Sequence, residues 1–239
     1  MKRIVYIAIL IALVGISSPA KSQEIPSSKR SKEAISLVRP RLEKELGNAK
    51  LTWGLPIYIR IFKEEKELEI WLQDGANFKK FKTYPICTYG FGSLGPKVRK
   101  GDSQAPEGFY TVTANRLNPV SNFHLSFDLG YPNEYDRIHK RTGSALMVHG
   151  SCVSIGCYAM TDKRIEEIYA MADAAIRNGQ RFFQVHIFPF RMTDENMKRH
   201  AESEWTDFWK NLKEGYDIFE GNGHRPPDVT VKNQRYVFR

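Results

Sequence analysis

Long apolar runs are almost missing from this chain. The longest extends thirteen residues, from Ile4 to Ile16, whereas a membrane-spanning helix needs about 20. Lys2 and Arg3 precede it, and Ala20-Lys21-Ser22 places small residues where a signal peptidase reads. This is the pattern of a cleavable secretory signal peptide over residues 1–22. Gln23, not Cys, follows the expected cut, which argues against a lipid anchor. An uncleaved N-terminal anchor is the alternative; with the signal removed, no stable membrane span is expected.

Internal repeats, low-complexity tracts and nucleic-acid-binding motifs are also lacking. Acidic residues are the minority: without Lys2, Arg3 and Lys21 the chain keeps 33 basic residues against 27 acidic, a formal charge of +6. That excess favours acidic partners, and an exported chain has little occasion to meet nucleic acid. About 200 residues remain after the cut, enough for one sizeable core or a core with a small extension.

Cysteine is scarce: Cys87, Cys152 and Cys157 are the three in the chain. An odd number in an oxidising compartment permits one disulfide and one free thiol. Two of them fall within the segment His149-Gly150-Ser151-Cys152-Val153-Ser154-Ile155-Gly156-Cys157-Tyr158. An imidazole near a thiol can take its proton and make it a nucleophile. Gly156 lets the backbone approach a substrate closely, so N–H groups around Cys157 could hold a developing oxyanion. A buried thiol beside a satisfied core histidine is the plainer reading. Zinc held by His149, Cys152 and Cys157 is a third, but no fourth ligand stands at finger-like spacing, and no metal is expected.

The wider sequence weighs for catalysis. Val148-His149-Gly150 followed by Ser154-Ile155-Gly156-Cys157 resembles the active-site signature of the L,D-transpeptidase (YkuD-type) family. Gly95-Pro96-Lys97, Gly101-Asp102 and Ala105-Pro106-Glu107-Gly108-Phe109-Tyr110 resemble an earlier block of that family. Within it the chain is similar to the YafK-like (DpaA-like) branch of Gram-negative bacteria, from about Pro56 to the C-terminus. Tyr131-Pro132-Asn133, Pro189 to Asp194 and Asn196 to His200 belong to that likeness. Most family members carry His where Ile155 stands, Arg where Ala159 stands, and a longer interval between the His-Gly pair and the Cys. The YafK-like branch shares these departures.

The resemblance implies a periplasmic cysteine enzyme with Cys157 as nucleophile and His149 as general base and then acid. The carbonyl of Gly150 would orient the imidazole, and the N–H groups of Gly156 and Cys157 would form the oxyanion hole. No cofactor is implied. Acylation would occur at meso-diaminopimelate of peptidoglycan stem peptides. In the YafK-like branch that acylation would release the C-terminal Lys of a peptidoglycan-bound outer-membrane lipoprotein, and water would then hydrolyse the thioester. Cross-linking by an amine acceptor is the alternative, and a silent peptidoglycan-binding module a second. A papain-like peptidase would need its His far downstream of the Cys. If Cys157 is the free thiol, Cys87 and Cys152 can pair. Two buried thiols, or a Cys152–Cys157 bridge that switches the enzyme off, stay open.

Periodicity organises the rest. Residues 23–55 read as a polar linker and a helix from Ser31 whose Ile35, Val38, Leu42 and Leu46 share a face, with Pro40 as a kink and Gly47 as a stop. Ile57, Ile59 and Ile61, then Leu68, Ile70 and Leu72, alternate as a hairpin. Further strands are expected at 79–88, 108–114, 125–129, 145–149 and 181–188. Thr161 is a plausible N-cap for a helix carrying Ile165, Ile168, Tyr169, Ala172 and Ile176. A helix with Trp205, Phe208, Trp209 and Leu212, and two short strands from Val229, end the chain. The class is mostly β with flanking helices (α+β), a YkuD-like β-sandwich over 56–190 with a C-terminal extension over 191–239. Tyr131, Asn133 and Arg137, read as a loop, together with Ser154, are candidate substrate contacts. An Arg fork suits a carboxylate-rich stem, unless Arg137 pairs with Glu134 or Asp136.

Overall fold

A computed structural model describes residues 24–239; the expected signal peptide lies outside them. The first helix, α1 (Lys29–Asn48), begins two residues before Ser31 because Ser28 is its cap. The Ser28 hydroxyl accepts from the Ser31 N–H at 3.1 Å, and the Ser31 hydroxyl accepts from the Ser28 N–H at 2.9 Å. Pro40 does not divide the helix. The carbonyl it leaves unpaired, that of Ser36, lies on the exposed side, where solvent can serve it. The opposite side buries Ala34, Val38, Leu42 and Leu46. The larger three contribute about 1.5–3 kcal/mol each.

Three strands follow as a meander, β1 (Ile57–Phe62), β2 (Glu67–Asp74) and β3 (Asn77–Pro85), and then β4 (Gly108–Thr113). A second group comprises β5 (Leu117–Asn118), β6 (Ser126–Asp128), the short helix α2 (Glu134–Ile138), β7 (Met147–His149) and β8 (Tyr158–Ala159). Helix α3 (Asp162–Arg177) and strand β9 (Phe182–Phe188) lead to α4 (Asp194–Arg199), α5 (Thr206–Gly221) and the hairpin β10 (Val229–Lys232) and β11 (Arg235–Phe238).

These strands form a five-stranded sheet in the order β3-β2-β1-β9-β4 and a four-stranded sheet in the order β5-β6-β7-β8. Helix α3 touches strands of both, and α1 packs on α3. One core therefore joins Ile57, Ile59 and Ile61 of β1 to Ile165, Ile168 and Tyr169 of α3 and to Phe127 and Val148 of the smaller sheet. The other face of β1 is covered as well: all six of its residues are buried. Phe62, with Phe109 and Phe188, meets Phe208, Trp209, Leu212 and Tyr216, so the aromatic helix α5 serves packing. The architecture is the mixed α+β fold expected from the alternation pattern.

Beneath α5 lies a buried ion pair. Lys63 Nζ donates to Glu107 Oε1 at 2.9 Å and to the carbonyls of Gly95 (2.6 Å) and Ala105 (3.2 Å). Glu107 also accepts from the Gly95 N–H and from Trp209 Nε1, both at 2.8 Å. Lys63 thereby pins both ends of the loop 95–105, whose Gln104 carbonyl packs against Gly156. Among the described residues no helix is long and apolar enough to cross a membrane.

Candidate active site

Strand β7 delivers His149. It pairs antiparallel with β6 (His149 opposite Ser126) and parallel with β8 (His149 opposite Ala159). The imidazole is 2% exposed, and Phe123 lies against it at a centroid distance of 4.6 Å. Its Nδ1 lies 2.6 Å from the Gly150 carbonyl oxygen. A carbonyl can only accept, so Nδ1 carries the proton and Nε2 keeps a basic lone pair. Gly150 sits where a Cβ would meet Asp162 Oδ1 at 2.6 Å and the Phe123 carbonyl at 2.7 Å. Its N–H donates to the carbonyls of Phe123 (3.0 Å) and Leu125 (3.1 Å).

Asp162, unremarkable in sequence beyond its place at the start of a helix, fixes the next turn: its Oδ1 accepts from the Ser151 N–H at 2.7 Å. The expected capping role of Thr161 needs correction. Thr161 holds the N-cap position at φ 73°, but its side chain makes no cap hydrogen bond.

Cys157 comes immediately before β8 and faces Met147 across the ladder. Its Sγ accepts the Met147 N–H at 3.4 Å and lies 3.6 Å from the Ala145 carbonyl oxygen. Cys157 therefore precedes by two residues Ala159, the partner of His149 in the β7–β8 ladder, so both side chains stand at the same end of that pair. Among the described residues no hydrogen bond joins thiol to imidazole; such bonds often tighten only around substrate. Cys87 and Cys152 form a disulfide with Cα atoms 5.5 Å apart, leaving Cys157 as the free cysteine. A Cys152-containing zinc site and a Cys152–Cys157 bridge are therefore both inconsistent with the geometry. On the far side of β8, the Cys87 N–H donates to the Ala159 carbonyl at 2.8 Å.

Burial pushes the Cys157 thiol above its ordinary value of 9.0, against a smaller pull from the Met147 N–H. Burial also lowers His149 below 6.5, against the Gly150 carbonyl. The resting pair is a neutral thiol and a neutral imidazole, the arrangement of general-base activation. Activity should therefore fall on the acid side only below pH 6.5, and the rate of thiol alkylation should rise with an inflection above 9.0. Iodoacetamide kinetics from pH 5 to 10 test this. A rate already at its plateau near neutrality would mean a preformed thiolate–imidazolium pair.

Two expectations for this loop are corrected. The Gly156 N–H donates to Ser154 Oγ at 3.0 Å and so does not point free toward an oxyanion. Ser154 donates in turn to the Cys157 carbonyl at 2.6 Å, so its hydroxyl shapes the turn and its one proton is not available to a substrate. The N–H of Cys157 has no hydrogen-bond partner among the described residues. Gly156 is still required at φ +141°, where a Cβ would lie 2.9 Å from the Gln104 carbonyl.

An open groove of about 1050 Å³ is lined by Ala145 and Met147, the two residues whose backbone meets the thiol, and by Arg116, Asp128, Tyr131 and Arg137. Tyr131 is nearly buried, and its hydroxyl faces the carbonyls of Lys97 (3.2 Å) and Thr142 (3.4 Å), which makes it part of the wall. Asn133 lies elsewhere. It caps α2, accepting from the Asp136 N–H at 2.9 Å and donating to the Phe109 carbonyl and the Tyr236 hydroxyl, so the substrate role expected of it is withdrawn. The supposed loop is thus partly helix. Arg137 does not pair with Glu134 or Asp136: Asp136 holds Arg141 at 2.9 Å, and Arg137 donates to the Pro132 carbonyl at 2.5 Å.

A family model for the YkuD L,D-transpeptidase catalytic domain matches residues 56–187. YafK of Escherichia coli K12, whose name places it among the L,D-transpeptidases, is 51% identical over 184 residues, 77% of this chain and 74% of its own. Among solved structures, the helical cell shape determining protein Pgp2 of Campylobacter jejuni is similar with a TM-score of 0.45 and 16% identity, over 74% of this chain and 73% of that one. Bd1075 of Bdellovibrio bacteriovorus is similar with a TM-score of 0.39 and 21% identity, over 69% and 62%.

Proposed function

Because the chain belongs to the YkuD L,D-transpeptidase family, we propose that it is a periplasmic cysteine acyl-transfer enzyme that cleaves the amide between meso-diaminopimelate and a lipoprotein Lys. The observation that carries the chemistry is the Nδ1 bond from His149 to Gly150, which leaves Nε2 with a neutral, basic lone pair in the same segment as the one free thiol. Nε2 takes the thiol proton as Sγ attacks the carbonyl carbon of the L-centre of diaminopimelate. Collapse of the tetrahedral adduct breaks the C–N bond, and His149 returns the proton to the departing Lys amine. Water then attacks the thioester, again losing a proton to His149, and the thiol is regenerated with a free carboxylate. The Cys157 N–H is the candidate donor to both oxyanions.

Water is favoured as acceptor by the openness of the loop before the nucleophile. Val153 is 59% exposed and Ile155, directly before Gly156, 84%, so both apolar side chains of this segment stand in solvent. An enclosed acyl-enzyme excludes water; an open loop supports access for it. Incubation with muropeptides bearing a lipoprotein-derived Lys should yield the free stem and the Lys peptide, each resolved by mass. A product joining two diaminopimelate residues would instead identify an amine as the acceptor and overturn the hydrolytic reading.

A further inference from the structure

The groove beside Cys157 carries charges of both signs that the chemistry above does not use. Arg137 is exposed on α2 and lacks a carboxylate partner among the described residues; its one hydrogen bond goes to the Pro132 carbonyl. Arg116 contributes a second guanidinium. It reaches Asp128 only at 3.7 Å, and it lies where a Cβ on Gly130 would be, 1.6 Å from its Nη1. Gly130, at φ +80°, leaves that space to the Arg116 guanidinium. Asp128 Oδ1 accepts from the Gly130 N–H at 2.6 Å, while Oδ2 has no hydrogen-bond partner among the described residues. Asp128 ends strand β6, next to β7, and its charge raises the thiol's pKa, which sets it within electrostatic reach of the nucleophile.

We infer that this groove is a subsite for an α-amino-acid zwitterion, with Arg137 holding the carboxylate and Asp128 the ammonium. Arg116 stands beside Asp128 and keeps that carboxylate in place without closing on it. The inference rests on the proposed substrate, because diaminopimelate ends in such a zwitterion at its D-centre, three methylenes from the L-centre whose carbonyl reacts. Lysine in the same position would offer the ammonium without the carboxylate. A planar guanidinium can hold a carboxylate through two parallel hydrogen bonds, which an ammonium cannot reproduce. The groove is thus a discriminator between the two stem types.

The test separates binding from turnover. The full chain carrying Cys157→Ala is titrated calorimetrically with a tripeptide stem ending in meso-diaminopimelate and with the same stem ending in Lys. The diaminopimelate stem should bind about ten- to a hundredfold more tightly. Adding Arg137→Ala should remove that preference while leaving the Lys stem unchanged, and Arg137→Lys should restore only part of it. Asp128→Asn should weaken both stems together. Equal affinity of the parent for the two stems, or a preference that survives Arg137→Ala, overturns the subsite. If the preference behaves as stated but the enzyme with its thiol intact cleaves no lipoprotein-bearing muropeptide, the subsite stands and the hydrolytic reading fails.

Discussion

Cys157→Ala should lower turnover by at least about 10⁴-fold, since removing a nucleophile leaves only binding and oxyanion contributions, with the melting temperature nearly unchanged. Replacing both Cys87 and Cys152 with Ala should do the reverse. Their bridge closes a sequence separation of 65 residues, and such a link contributes about 2–4 kcal/mol. The double variant should therefore melt earlier yet keep its chemistry below the transition. Replacing both avoids stranding one thiol that could pair with Cys157. Equal loss of turnover in the two variants, each shown to be folded by circular dichroism, would require a two-cysteine mechanism.

The largest loss of stability is expected at Glu107. Neither Glu107 nor Lys63 has any exposed side-chain surface, so Glu107→Ala leaves an ammonium, the Gly95 N–H and the Trp209 indole N–H without their acceptor. Breaking a buried pair from one side costs about 3–5 kcal/mol, which lowers the Tm of a chain of this size by roughly 6–20 °C. Lys63→Met combined with Glu107→Leu should recover only part of that loss, since it removes the uncompensated ammonium but still leaves the Gly95 N–H and the Trp209 indole N–H without an acceptor. Thermal unfolding of the three variants measures the coupling. A single variant as stable as the wild type would show that water replaces the carboxylate. Because Glu107 also accepts from the Gly95 N–H, the single variant frees that end of the loop and should lose turnover as the Gln104 carbonyl drifts from Gly156.

The elements legible from the sequence were those whose signal is local. Alternation marks β1 and β2 because one face of each strand must be apolar, and a three- or four-residue spacing marks α1, α3 and α5 for the same reason. His149 and Cys157 stand close in sequence and carry reactive side chains, so the pair could be recognised without the fold. What could not be read depends on distant partners. Asn133 looks like a loop amide until Phe109 and Tyr236 are brought to it. Arg137 looks paired until Arg141 takes Asp136. Gly156 looks like an oxyanion donor until the Ser154 hydroxyl turns back on its N–H. Nor does any spacing announce that Asp162 holds the turn after the base, or that Arg116 and Asp128 share a groove with Arg137.

The bridge between Cys87 and Cys152 has a bearing on oxidative damage. A nucleophilic thiol exposed to peroxide passes first to a sulfenic acid, which a neighbouring thiol can resolve as a disulfide before further oxidation makes the injury permanent. Here both other cysteines of the chain are already spent on each other. Cys157 has no resolving partner of its own, so its rescue from sulfenic acid falls to a reductant supplied by the compartment.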